Sequence, residues 1–330
     1  MIRLLQTFCF LVLYLMTASF SQVKGVIPAP MNANAPVHDP CIIREGDYYY
    51  LFATGDGIPI RRSKDLIQWE IVGRVFAQSV PEWAKKAIPQ SRNLWAPDIS
   101  RYNGKFRLTY SISSFGSNRS IIASASNKTL DPAGKDYHWD DDGIVFESQR
   151  TDNFNAIDSN LLLLDKKRGA MTFGSFWSGI KLIYIDLKTG KPFSNSVPIS
   201  LAQRPAPDAL EAPFLIKKDK FFYLFVSFDF CCRGVNSTYN IRVGRSKKVE
   251  GPYLDKEGKL MGQGGGTMLL QSEGNFIGPG HCAVLQEKTG DVLVHHYYDG
   301  ARNGFPTVQV RPLSWTKEGW PEAGKPLSEN

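Results

Sequence analysis

Apolar positions in this chain gather into short runs rich in aromatic and β-branched residues, without the three-and-four spacing of long amphipathic helices. Five runs stand out: YYYLFAT, FRLTYSIS, AMTFGSF, FFYLFVSF and VLVHHYY. Each follows a turn-forming stretch, REGD, YNGK, DKKRG, KKDK and EKTGD in order. Each leads through a loop to a further strand-like run: PIRRS, SIIASAS, IKLIYID, YNIRVGRS and PTVQVRP. Runs of this kind bounded by turn residues predict antiparallel hairpins. VPEWAKKAI is the one short helix candidate.

The segments ahead of the turns also match one another: DPCII, WAPDI, DSNLL, EAPFL and HCAVL. Each starts on a polar or aromatic head and turns apolar about three residues later. The heads are Asp39, Trp95, Asp158, Glu211 and His281, separated by 56, 63, 53 and 70 residues. Repeats of several short strands at this spacing predict an all-β fold, a five-bladed β-propeller. The innermost strand of each blade lines the axis, so equivalent heads would meet around one central pocket. A β-sandwich would account for the strands but leave the repeated heads a coincidence.

The first stretch, MIRLLQTFCFLVLYLMTASFSQ, places Arg3 before an apolar run and small residues, the layout of a secretory signal cleaved after Ser21. The alternative is an uncleaved anchor, although the apolar run is short for a span. The expectation is a signal at 1–21, one catalytic domain at 22–330, a secreted or periplasmic location, and no membrane contact after cleavage. Cys9 leaves with the signal, and Cys41, Cys231, Cys232 and Cys282 remain. An oxidising compartment permits a bond, and the adjacent Cys231 and Cys232 could close a ring or stay buried thiols. No paired Cys or His spacing suggests zinc. Sequons occur at Asn118, Asn127 and Asn236. The net charge of +7 is scattered along the chain, so no nucleic-acid partner is expected and a monomer is.

Three carboxylates, an imidazole and an indole in one pocket suit glycoside hydrolysis. One carboxyl protonates the leaving oxygen while another activates water or attacks the sugar. A third acid close by can raise the proton donor's pKa.

The motifs carrying these groups are VHDP with Asp39, WAPD with Trp95, NAIDSN with Asp158, LEAPF with Glu211 and GPGH with His281. As an ordered set over almost the whole mature chain they resemble glycoside hydrolase family 43. SSFGSNRS, SFDFCCRGVNSTYNIRVGRS and YYDGARNGFPTVQVRPLSW look like its arabinan endo-1,5-α-L-arabinosidases in particular. The resemblance implies an inverting enzyme acting on arabinan and its oligosaccharides. Asp39 would be the base, Glu211 the acid, and Asp158 the residue holding Glu211's pKa and orientation. His281 would ligate an axial calcium or other hard cation, largely through water. The same resemblance implies sugar contacts at His38, Asp39, Trp95, Phe115, Gly116, Asn155, Ala156, Ile157, Asp158, Ser175, Phe176 and Trp177. Exo-arabinanase, α-L-arabinofuranosidase and β-xylosidase are alternatives in the same family. A propeller that binds carbohydrate without cleaving it is the alternative of another class.

Overall fold

A computed structural model describes residues 35–328, so the expected signal at 1–21 and its boundary lie outside the described residues. The strands form five antiparallel sheets, each built from consecutive stretches of chain, and together they make a five-bladed β-propeller. The first blade comprises Cys41–Glu45, Tyr48–Phe52, Pro59–Ser63 and Glu70–Arg74. The second comprises Trp95–Tyr102, Lys105–Ile112, Ser120–Asn127 and Asp140–Ser148. The third runs Asn160–Leu163, Arg168–Phe173 and Ile180–Asp186, and its outer edge is split between Lys191–Pro192 and Ile199–Ala202. The fourth comprises Leu210–Lys218, Phe221–Phe228, Asn240–Ser246 and Thr267–Leu270, and the fifth Phe276–Glu287, Gly290–Asp299, Phe305–Trp315 and Pro321–Ala323. Each aromatic run read from the sequence is a second strand, and VPEWAKKAI holds the helix Glu82–Ala87.

Blade packing explains why these strands are apolar without clean alternation. Both faces of a blade lie against neighbouring blades, so residues of either parity need burial. Every residue of Ser120–Asn127 is buried. Phe106, Phe173 and Phe225 are fully buried, and each such side chain contributes about 1.5–3 kcal/mol. Separate apolar clusters join the second blade to the third, the third to the fourth, and the fourth to the fifth. A larger cluster joins the first blade to the second and takes in Ala283, Val294 and Val310 of the fifth.

Among the described residues no strand is exchanged to close the ring. Instead, Val37 N–H donates to Pro306 O at 3.0 Å. Arg44 pairs with Glu287 at 3.0 Å across the same junction, an exposed contact worth about 0–1 kcal/mol. At the axial end of this junction stand Asp39 and His296. Closure of the fold and assembly of the pocket therefore share residues.

Of the sequons, Asn118 and Asn127 are buried. Asn118 Nδ2 donates to three carbonyls and Asn127 Oδ1 accepts two backbone N–H groups. Only Asn236 is exposed for modification.

Candidate active site

Each innermost strand is entered through a left-handed residue: Asp39, Ala96, Asp158, Ala212 and His281 have φ of 51, 45, 58, 53 and 48°. This conformation is costly for residues other than glycine and persists where surrounding contacts over-determine it. Here a neighbouring blade supplies the contact. Ala96 N–H donates to Thr54 Oγ1 at 2.8 Å, Asp158 N–H to Ser111 Oγ at 3.0 Å and His281 N–H to Ser227 Oγ at 2.8 Å. Asp39 N–H donates to His296 Nδ1 at 3.1 Å, and Ala212 N–H to Asp158 Oδ2 at 3.2 Å.

This register corrects the alignment of heads. Asp39, Asp158 and His281 are equivalent, but Trp95 and Glu211 stand one residue ahead of Ala96 and Ala212, level with His38, Ile157 and Gly280. Their large side chains carried the repeat signal, whereas the equivalent alanines are silent in a sequence. Sheet irregularities follow both positions, between Trp95 and Asp98 and between Glu211 and Phe214.

Asp39 is enclosed by donors. Thr54 Oγ1 donates to Oδ2 at 2.6 Å, and Oδ1 lies 2.7 Å from His38 Nδ1 and 3.2 Å from His281 Nδ1. Burial opposes its charge, but His38 and His281 outweigh it and hold Asp39 well below the ordinary carboxylate range. His281 answers in kind: burial disfavours its charge, yet Asp39 foremost raises it to about 9. His296 Nδ1 also lies 3.7 Å from Asp39 Oδ1. That approach is not an ion pair, because burial first, with His38 and His281 adding to it against Asp39, pushes His296 well below its usual value. Its neutral Nδ1 is the acceptor for Asp39 N–H. His38 is braced in turn, stacked on His296 at 3.9 Å and with Nε2 2.7 Å from the Tyr298 hydroxyl.

Glu211 sits across two blades. Ser175 Oγ donates to Oε2 and Tyr239 Oη to Oε1, both at 2.6 Å. Asp158 reaches the next backbone N–H, that of Ala212. Burial, with Glu211 and Asp39 adding to it against His281, pushes Asp158 well above the usual carboxylate range. The two acids are thus shifted in opposite directions, Asp39 toward its ionised form and Asp158 toward its protonated form. Asp98 is a further buried acid, pushed up to about 7 by burial, and it accepts from Leu161 N–H at 2.8 Å.

The residues expected at the sugar are not all placed alike. Trp95 is fixed by a 2.7 Å bond from Nε1 to Asn93 Oδ1 and lies 5.1 Å from the ring of Phe115, which is 81% exposed. Gly116 takes a left-handed turn beside it, with φ 74°. Phe176 and the exposed Trp177 follow Ser175 in the third blade, with Phe176 6.1 Å from Phe230 and Arg233 stacked 4.0 Å over Phe230. Ser175 is buried and engaged with Glu211. Asn155, Ala156 and Ile157 are buried in the wall leading to Asp158. Asn155 Oδ1 accepts from Ser120 Oγ, and Ala156 N–H donates to Ser148 Oγ. These residues carry Asp158 and offer the pocket little surface. Thr54, Tyr239, His296 and Tyr298 were missed by the sequence reading. The histidine pair inside the apolar run VLVHHYY was the one available signal for His296.

Cys231 and Cys232 are joined as a vicinal disulfide at the mouth, while Cys41 and Cys282 are free and buried. Cys232 N–H donates to the Tyr298 hydroxyl at 2.7 Å, and Cys232 Sγ lies 3.8 Å from His38 Nε2. For a cation, His281 offers one donor. Its Nδ1 faces Asp39, so Nε2 is the nitrogen that remains to ligate, and a carboxylate on the second nitrogen is the usual support of a ligating histidine. Among the described residues His281 joins no group of three ligating side chains, so a hard cation there would complete its shell from water.

The profile of Glycosyl hydrolases family 43 matches residues 33–321. The chain is 43% identical over 298 residues to an extracellular exo-α-(1→5)-L-arabinofuranosidase of Cellvibrio japonicus, covering 87% of this chain and 86% of that protein. It is 42% identical over 294 residues to an extracellular endo-α-(1→5)-L-arabinanase of Bacillus subtilis, covering 88% of each. The solved structure of Cellvibrio cellulosa α-L-arabinanase with arabinohexaose superposes with a TM-score of 0.84 at 42% identity, covering 88% of this chain and 96% of that one.

Proposed function

The chain belongs to glycosyl hydrolase family 43, and on that premise we propose that it is an exported arabinanase cleaving internal α-1,5-L-arabinofuranosidic bonds with inversion. The observation carrying this reading is the opposite treatment of the buried acids. Asp39 is driven toward its ionised form between imidazoles, whereas Asp158, bonded to the backbone N–H next to Glu211, is driven toward its protonated form. In the proposed step, Asp39 takes a proton from water as its oxygen bonds to the anomeric carbon. Glu211 gives a proton to the departing glycosidic oxygen as that bond breaks. Asp158 orients Glu211 and holds the proton close to it.

Two aromatic pairs in the loops of different blades support internal cleavage, Trp95 with Phe115 in the second and Phe176 with Phe230 between the third and fourth. Each offers a flat apolar face to a sugar ring. End-wise cleavage is the competing reading, because the Cellvibrio japonicus relative carries an exo name. A cation held at His281 Nε2 with water would supply positive charge that favours ionised Asp39. Export fits the extracellular names of both relatives.

Linear arabinan decides between the modes. A fast fall in viscosity with few new reducing ends is expected. Release of monosaccharide or one short product at nearly constant viscosity would establish end-wise action. NMR of the first product should show the β-anomer, and an initial α-anomer would mean a covalent intermediate instead.

A further inference from the structure

We propose that Tyr239 is the positioning residue of the catalytic acid: its buried hydroxyl donates to Glu211 Oε1 and thereby fixes the orientation in which the carboxyl meets the leaving oxygen. The proposal rests on Glu211 being the acid. Tyr239 is 1% exposed, and its hydroxyl lies 2.6 Å from Oε1. Among the hydrogen bonds of the described residues its hydroxyl has no other partner. Turning its proton away from Oε1 would strand a buried donor, which the surroundings disfavour. Ser175 holds the other oxygen, with its Oγ 2.6 Å from Oε2. The two hydroxyls, one from the third blade and one from the fourth, therefore fix the plane of the carboxyl between them.

The ring is located as firmly as the hydroxyl. A Cβ placed on Gly280, directly before His281, would lie 1.9 Å from Tyr239 Cδ1, so the glycine is the slot that admits the ring. On another side the ring lies 6.0 Å from that of His296, whose Nδ1 accepts the backbone N–H of Asp39. Tyr239 thus bridges the acid on the fourth blade to the base at the ring closure.

Tyr239→Phe removes the hydroxyl and keeps the ring. A hydrogen bond to a charged group corresponds to roughly 10- to 150-fold in rate, and that loss is expected in kcat on linear arabinan, with KM nearly unchanged. A dinitrophenyl arabino-oligosaccharide, whose leaving group needs no proton, should react within about threefold of the parent rate. Gly280→Ala leaves the hydroxyl but displaces the ring, and should give the same split. Equal losses on both substrates, or no loss on arabinan in either variant, would overturn the proposal. Glu211→Gln run in parallel separates the two levels. If it too lacks the leaving-group dependence, the assignment of the acid fails; if it alone shows the dependence, only the role of Tyr239 fails.

Discussion

Thr54→Val tests whether the pocket and the fold share their hydrogen bonds. The Thr54 hydroxyl donates to Asp39 Oδ2 at 2.6 Å and accepts Ala96 N–H at 2.8 Å. Valine keeps the shape and removes both. A hydrogen bond to a charged group contributes about 1.5–3 kcal/mol, and a buried donor left alone costs about 1–3 kcal/mol. Ala96 is 1% exposed, so its N–H gains little from water. The side chain of Asp39 is 13% exposed and can recover part of its loss. Together these give about 2–4 kcal/mol of destabilisation. At roughly 2 cal/mol/K of unfolding entropy per residue, a chain this long should melt about 3–6 °C lower. With one restraint on Asp39 gone, kcat on arabinan should fall roughly tenfold or more, since the proposed base must stay aligned with its water. Thr54→Ser keeps the hydroxyl and should stay close to the parent in both. Calorimetry and reducing-sugar assays on the three proteins suffice. A valine variant melting within 1 °C of the parent, or a serine variant as impaired as valine, would refute the reasoning.

Asp39→Asn and Glu211→Gln should each lose at least about 100-fold in rate on arabinan while still binding oligosaccharide, and a good leaving group should rescue only the second. Near-normal turnover in either defeats the assignments. For stability against pH, His281 is raised from its ordinary 6.5 to about 9. Its contribution is full below pH 6.5 and fades as pH rises through about 9. Asp39 is depressed, so its contribution is present above pH 3.8 and is lost as pH falls below that. Urea midpoints of chelator-treated protein should therefore drop from pH 6.5 to 9, and His281→Gln should flatten that slope. With His281→Ala, chelator and added calcium should no longer change activity. A parent enzyme equally indifferent to both would remove the cation from the reading.

The strands were legible because blade packing leaves a strong trace: aromatic and β-branched runs, punctuated by turns, at a repeating interval. Asp39, Asp158 and His281 were legible for a related reason, since a charged or polar residue beside a buried run is unusual and recurs in register. What stayed hidden was conformation without a side-chain signature. A left-handed Ala96 or Ala212 looks like any alanine, so the alignment fell on the more conspicuous Trp95 and Glu211 beside them. Ser111, Ser227 and Thr54 look like ordinary strand residues until the neighbouring blade presents its N–H. Tyr239 reads as one more aromatic residue ahead of a strand, and only the slot at Gly280 reveals why its hydroxyl reaches Glu211.

The same ring of bonds explains why Asp158 lies beside Glu211, the proposed acid. At four of the five blade junctions, a side chain at the end of a second strand takes the N–H of the next left-handed residue: Thr54, Ser111, Ser227 and His296. In the third blade that position is Gly174, two residues beyond the Thr172–Asn160 pair. No side chain fits there, since a Cβ would lie 2.5 Å from Gly179 O and φ is +131°. Ala212 N–H must still be satisfied, because a buried donor left alone is costly. Asp158, itself the left-handed residue of the third blade, supplies the oxygen instead. Its carboxyl is thereby drawn one blade onward, to the residue following Glu211, and burial there raises its pKa. A backbone requirement places the group, and its surroundings favour its protonated form. The third acid of the pocket stands beside the second because one junction of the propeller has no other acceptor to offer.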